Sequence, residues 1–384
     1  MRVRPEFLPF SPPFIGEEEI EEVVSALRSG WISRGPRTAR FERAFSEFIG
    51  ADAALGLNSC TAGLHLSLLA LGISEGDEVI VPTMTFCASV NVIEHVGARP
   101  VLVDVVPDTL NLDAGRVASA VTASTKAIIV VHYGGHPADM PAIERIAQRE
   151  HLAVVEDAAH ALPASSDGVV VGSRPNLTAF SFYATKNLTT GEGGMLTGPP
   201  ALVEKARLLS LHGMSGDAWR RYSNEGSWYY EVVAPGYKYN MTDIQAAIGL
   251  RQLERLKTMQ SRRREIAERY TAKLSKLEEL ILPRVCEGVE AAWHLYPVRV
   301  RKGSGISRGE FIKGMTARRI GTSVHFIPIH LHPYYRDRYD LSPEDFPVAQ
   351  AAFEGLVSLP LHPGLTDEDV EDVIASVQGV VRGQ

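Results

Sequence analysis

Glu156 and Asp157 stand side by side at the end of the β-branched run "LAVVED" (152–157). Charge leaving water unpaired is costly, so each carboxylate needs a partner. Alternation along a strand sends the two side chains to opposite faces. In an open α/β sheet, ligands bind beyond the carboxyl ends of the strands, and Asp157 is the candidate for that side; Glu156 is assigned a structural role. Phe86 in "PTMTFCAS" (82–89), His132 and the segment "SFYATKNLTTGEGG" (181–194) fall at similar strand ends. Lys186 lies in that last segment, among small and hydroxyl residues, with no acid before Glu192. A lysine so placed serves as an amine nucleophile once burial or a nearby cation lowers its pKa from about 10.4.

The stretch "NSCTAGLHL" (58–66) sets Ser59, Cys60 and Thr61 at a helix start. Backbone N–H groups and the helix dipole favour a phosphate there. Together these residues match what pyridoxal phosphate (PLP) requires of a protein. Lys186 is the Schiff-base lysine, and Asp157 the carboxylate that keeps the ring nitrogen protonated. Phe86 is the flat partner of the ring, and Ser181 adds a hydroxyl to the phosphate cup. Singly, each has an ordinary explanation: a surface lysine, a helix cap, a core phenylalanine or, for His160, a core histidine. Their coincidence in one chain order is what carries the reading.

The elements that must position these residues follow from hydrophobic pattern. The runs at 78–82, 100–105, 127–133, 152–157 and 178–182 are strand-like, with a weaker sixth at 193–198. Continuous apolar runs predict strands covered on both faces, hence a largely parallel sheet with crossover helices. A helix is expected over 61–72, ended by Gly72, and a long one over 241–277. Beyond it come strand-like 292–300, a helix near 308–319, strand-like 322–326 and a closing helix near 366–380. The expected class is α/β: a large domain, 1–248, with an N-terminal arm, and a smaller C-terminal α+β domain, 249–384.

Composition bounds the partners. A formal net charge of −7 argues against nucleic-acid and anionic-membrane surfaces. The basic run "SRRRE" (261–265) reads as a solvated helix face. Cys60, Cys87 and Cys286 show neither a disulfide framework nor metal-ligand spacing, and no metal is expected. The first residues, broken by prolines and turning acidic, do not read as a signal peptide, and no run reaches the roughly 18 apolar residues of a membrane span. A cytoplasmic protein is expected. A dehydrogenase would need a glycine fingerprint after a strand, and none is present.

The chain resembles the DegT/DnrJ/StrS family of sugar aminotransferases, of PLP fold type I. The resemblance runs from "GWISRGPRTARFE" (30–42) through "EDAAHA" and "TKNLTTGEGG" to "GYKYNMTDIQAAIGLRQLERL" (236–256). It looks closest to the UDP-4-amino-4-deoxy-L-arabinose branch. The resemblance implies transfer from an amino acid, L-glutamate, through pyridoxamine phosphate to carbon 4 of a nucleotide-linked 4-keto sugar. Lys186 acts as general base for the proton shifts. It also implies phosphate contacts at Thr61, Ala62 and Ser181, and His160 near the ring hydroxyl. Phe86 occupies a stacking position that is usually tryptophan in the closest branch. Many members read Gly-Tyr-Asn-Tyr-Arg where this chain has Gly236-Tyr237-Lys238-Tyr239-Asn240. Either Lys238 or Asn240 therefore takes the place of the asparagine that reaches the neighbouring subunit's phosphate, in a homodimer with shared active sites. Ser33 and His325 fall in segments resembling those that line the sugar-nucleotide cleft. Lys186 separates the chain from dehydratase members, which carry histidine there. Transfer to carbon 3 or to an inositol-type ketone, and a non-catalytic regulatory role, are the alternatives.

Overall fold

A computed structural model describes residues 3–214 and 229–383. Seven strands form the main sheet: β1 (Ala53–Leu57), β2 (Glu78–Pro82), β3 (Arg99–Val103), β4 (Thr125–Val131), β5 (Ala153–Asp157), β6 (Leu177–Ser181) and β7 (Gly194–Gly198). They lie in the order β1-β7-β6-β5-β4-β2-β3. Only β7 runs antiparallel to its neighbours. The other six therefore point their carboxyl ends to one edge, where Pro82, Val131, Asp157 and Ser181 are the terminal residues.

The helix Cys60–Leu71 is apolar nearly all round because it is covered on nearly all sides, with Leu64, Leu66 and Leu68 buried. Ser59 caps it, its side chain accepting from Ala62 N–H, and Gly72 ends it in the left-handed region at φ 81°. The start of this helix sits directly on β7. A Cβ at Gly194 would lie 2.5 Å from the Ser59 carbonyl carbon and 2.6 Å from the Cys60 nitrogen. Glycine there lets the helix N-terminus reach the sheet edge.

The long helix spans Asp243–Leu274, started by a capping box between Thr242 and Gln245. It runs through position 248, and its partners change along its length. Leu250, Leu253, Leu256 and Met259 pack with Phe41, Phe180 and Phe182 of the sheet domain. Ile266, Ala267, Tyr270 and Leu274 pack with Tyr296, Val298 and Val357 of the C-terminal part. That part is a three-stranded sheet of Leu280–Ile281, Tyr296–Val300 and Leu356–Leu359. Helices Arg308–Ala317 and Asp367–Val381 pack onto it.

Three local expectations change. Residues 322–326 form no strand; a single bridge joins Ser323 to Ser358. The strand expected over 292–300 covers only Tyr296–Val300. The run 261–265 is not uniformly solvated: Arg263 is 3% exposed, and its guanidinium donates to the Leu361 carbonyl at 2.7 Å. Position 263 shares the inner helix face with buried Gln260, Ala267 and Tyr270. Among the described residues, no helix is long and apolar enough to cross a membrane.

Candidate active site

The carboxyl edge of the sheet, the start of helix Cys60–Leu71 and the segment 325–330 enclose a cavity of about 420 Å³, a size typical of small-molecule sites. Ser59, Cys60, Thr61, Phe86, Asp157, His160, Ser181, Lys186 and His325 all line it. Two ties dock the 325–330 segment against the sheet. Tyr133 O–H donates to the His325 carbonyl, and Ile329 N–H donates to the Thr83 carbonyl at 2.8 Å.

Asp157 ends β5 with its carboxylate held on both sides. Its Oδ2 accepts from the Ser89 hydroxyl at 2.7 Å, and its Oδ1 from the Ala159 N–H at 3.1 Å. Thr85 in turn donates to Ser89 at 2.8 Å. Glu156 lies on the opposite face, fully buried, against His132 Nε2 at 2.9 Å and Asn176 Nδ2 at 3.0 Å. His132 Nδ1 accepts from Ala138 N–H, so its Nε2 carries the proton it gives to Glu156. His132 thus serves the back of the sheet and stays out of the cavity.

Lys186 follows β6 in a turn closed by its N–H on the Tyr183 carbonyl. Its side chain is partly buried and lines the cavity. The protein around it pushes its pKa from 10.5 down to about 8, against the opposing pull of Cys60 and Asp157. Burial pushes the Cys60 thiol up, with the Asp157 charge adding to the effect. Its Sγ rests against the Ala179 carbonyl at 3.4 Å.

Phe86 is 57% exposed, an unusual state for a phenylalanine, and presents its ring to the cavity. The Phe326 ring bridges two of the predicted residues, 5.6 Å from Phe86 and 5.6 Å from His160, stacked on the latter at 21°. His160 Nδ1 accepts from Gly134 N–H, which leaves its Nε2–H as a donor. His325 Nδ1 pairs with the Ser358 hydroxyl at 2.9 Å, and its ring lies on Phe10 of the N-terminal segment. Burial, reinforced by Lys186, lowers its pKa to about 4. His160 is likewise held well below its usual value, first by burial and then by Lys186.

Four predicted residues do not face this cavity. Ala62 is buried beneath its rim, its N–H already given to Ser59. Ser33 is exposed, its carbonyl accepting from the Asp243 N–H. Lys238 Nζ donates to Asn240 Oδ1. Both flank the start of helix Cys60–Leu71, since Tyr239 O accepts from Asn58 N–H at 2.8 Å. Among the lining residues that sequence reasoning missed, His294 and Phe326 come from the C-terminal part, and Thr85 from the loop after β2. For His294 the only signal was a histidine inside a strand-like run; its contact with Asn187 spans 107 positions.

The residues fit PLP. A helix N-terminus with Ser59 and Thr61, an open aromatic face, a carboxylate with lone pairs to spare and a lysine of lowered pKa converge on one cavity. Comparison with known proteins agrees. Residues 13–378 match the model of the DegT/DnrJ/EryC1/StrS aminotransferase family. The spore coat polysaccharide biosynthesis protein SpsC of Bacillus subtilis is 51% identical over 383 residues, covering 99% of this chain and 98% of that protein. The sugar aminotransferase Spr1654 of Streptococcus pneumoniae, described as putative and solved in its PMP form, superposes with TM-score 0.92 at 38% identity. It covers 98% of this chain and 99% of that one, and its PLP form gives TM-score 0.91. Helicobacter pylori PseC, an aminotransferase of pseudoaminic acid biosynthesis, superposes at TM-score 0.90 and 26% identity over 99% of this chain and all of that one. The fold is that of the fold-type-I PLP sugar aminotransferases, and the chain belongs to the DegT/DnrJ/EryC1/StrS aminotransferase family.

Proposed function

We propose that this protein moves an amino group from L-glutamate to carbon 4 of a nucleotide-linked 4-keto sugar, as a cytoplasmic homodimer with shared active sites. The observation that carries the reading is the convergence of Lys186 and Asp157 on one cavity. PLP bound there supplies a carbonyl that captures amines and a protonated ring that accepts the electrons of a broken C–H bond. Asp157 would hold the proton on the ring nitrogen, and Ser59 and Thr61 at the helix start would receive the phosphate. Phe86, exposed on the cavity wall, would offer its face to the cofactor ring. In the protein without cofactor, burial lowers the Lys186 pKa from 10.5 to about 8, in the direction that favours the free amine a general base needs. Lys186 Nζ takes the proton from the donor's α-carbon and returns one when the keto sugar is aminated. His160 and His325 stay neutral and offer hydrogen bonds without adding charge.

Carbon 4 is supported by the resemblance of "EDAAHA" and "GYKYNMTDIQAAIGLRQLERL" to the UDP-4-amino-4-deoxy-L-arabinose branch. A shared site is supported by Lys238 and Asn240, which stand near the helix start yet outside their own chain's cavity. Exposed Trp31, Ile32, Val232 and Val233 offer apolar surface for a second copy to cover. The test is a panel of UDP-, dTDP- and GDP-linked 3- and 4-keto sugars with L-glutamate as donor, products read by mass and NMR. Amination at carbon 4 of one nucleotide series is expected. Amination only at carbon 3, or turnover only of a cyclitol ketone, would replace this reading.

A further inference from the structure

The residue after the catalytic lysine is more firmly held than the lysine itself. Asn187 is 6% exposed and spends its whole side chain on fixed partners. Its Nδ2 donates to the Ala292 carbonyl at 2.7 Å and to the Leu162 carbonyl at 3.0 Å. With the amide so oriented, Oδ1 can only accept, and it faces His294 Nδ1 at 3.2 Å. His294 therefore carries its proton on Nδ1. Its ring packs against His160, centroids 4.4 Å apart, and it lines the same cavity as Lys186.

The hydrogen bond needs only Nδ1–H, which the neutral ring already carries. Every neighbour that bears on His294 favours the neutral form: burial first, then Lys186, His160, Arg263 and His325. Arg263 on the long helix adds a geometric tie, donating at 3.4 Å to the carbonyl of Trp293, the residue before His294. The C-terminal part thus holds the residue after the lysine from both ends of its amide, the Ala292 carbonyl accepting from Nδ2 and His294 Nδ1–H donating to Oδ1.

We infer that His294 is a positioning residue for Lys186: its Nδ1–H, donated to Asn187 Oδ1, fixes the loop that aims the lysine into the cavity. The inference rests on Lys186 being the cofactor lysine. That assignment fails separately, if peptide mapping after borohydride reduction of the loaded protein finds the label elsewhere.

Two substitutions separate the hydrogen bond from the ring. His294→Asn places an amide N–H near the position of Nδ1–H and gives up the ring. His294→Phe keeps a ring against His160 and removes the donor. Asn187→Ala and the double variant His294→Phe/Asn187→Ala complete a cycle. The readouts are the pH titration of the visible absorbance of the cofactor-loaded protein, and kcat and KM for the amino-acid half-reaction. Urea unfolding of each variant establishes that it is folded. Small displacements of a reacting group cost up to about 100-fold in rate. His294→Phe and Asn187→Ala are expected to move the titration midpoint by about one pH unit, as a change in Lys186's surroundings should. Both should lower kcat by about 10- to 100-fold with KM little changed. The double variant should be no worse than the poorer single one, and His294→Asn should recover most of the loss. A folded His294→Phe protein with parental midpoint and kcat would overturn the inference. So would additive losses in the double variant, or His294→Asn no better than His294→Phe.

Discussion

Lys186→Met in the cofactor-free protein should make the chain more stable while abolishing its chemistry. The lysine's pKa lies at about 8 in the folded protein against 10.5 ordinarily, with burial as the leading cause. At about 1.36 kcal/mol per pH unit, holding its ammonium at pH 7 costs up to about 3 kcal/mol. Water reaches part of the side chain along the cavity and screens the charge, so about 1–3 kcal/mol is the working figure. The sign follows from proton counting. Between pH 8 and 10.5 the unfolded lysine keeps its proton while the folded one has lost it, so the parent gains stability as pH rises through this window. The variant's advantage is therefore full below pH 8 and fades toward pH 10.5. Methionine fills similar space without a charge. The assay is urea unfolding of both cofactor-free proteins from pH 7 to 10, at fixed salt and fixed protein concentration, since assembly would add its own term. A difference that stays constant across that range, or a parent more stable at pH 7, would refute the reasoning.

Asp157→Asn should keep the fold, because the amide oxygen can still accept from Ala159 N–H while its Nδ2 donates to the Ser89 hydroxyl oxygen, yet lower the half-reaction rate at least about 100-fold; stopped-flow rates within a few-fold of the parent would make Asp157 merely structural. Glu156→Leu should leave the cavity's chemistry alone but strand the His132 and Asn176 donors, costing about 2–4 kcal/mol in urea unfolding; a loss below about 0.5 kcal/mol would show the buried pair to be dispensable. Lys186→Ala and Asn240→Ala proteins, each nearly inactive, should regain up to half the parental activity in mixed dimers once subunits exchange. A flat result with exchange demonstrated would remove Asn240 from the neighbour's site, and the same mixing with Lys238→Ala would test the other candidate.

How much of this was legible beforehand depended on how local the signal was. The β-branched cores of β2, β4 and β5 announced themselves, and with them the edge where Asp157 sits. Lys186 and Phe86 were placed at that edge by the chemistry a lysine and a flat ring could do there, and both line the cavity. β1, "AALGL", was missed because it holds no β-branched residue; antiparallel pairing with β7 makes it a strand. Residues 322–326 misled in the other direction. Their strand-like pattern yields to ties from Tyr133 and Ser358 that hand His325 and Phe326 to the cavity. His294 and Phe326 were unreadable for a common reason: their partners Asn187 and His160 lie more than a hundred positions away, and periodicity reports only near neighbours.

The long helix has a consequence for how such enzymes can diversify. Its first half belongs to the core of the sheet domain and its second half to the core of the C-terminal part, with the change falling between Met259 and Ile266. An unbroken helix is a forgiving place to join two parental chains, because its register is preserved whatever the sequences on either side. A chimera spliced in that stretch would inherit Ser59, Asp157 and Lys186 from one parent and His294, His325 and Phe326 from the other. Recombination there would exchange one face of the cavity while leaving the face that carries Asp157 and Lys186 intact, a route by which the cavity could be reshaped without altering those two residues.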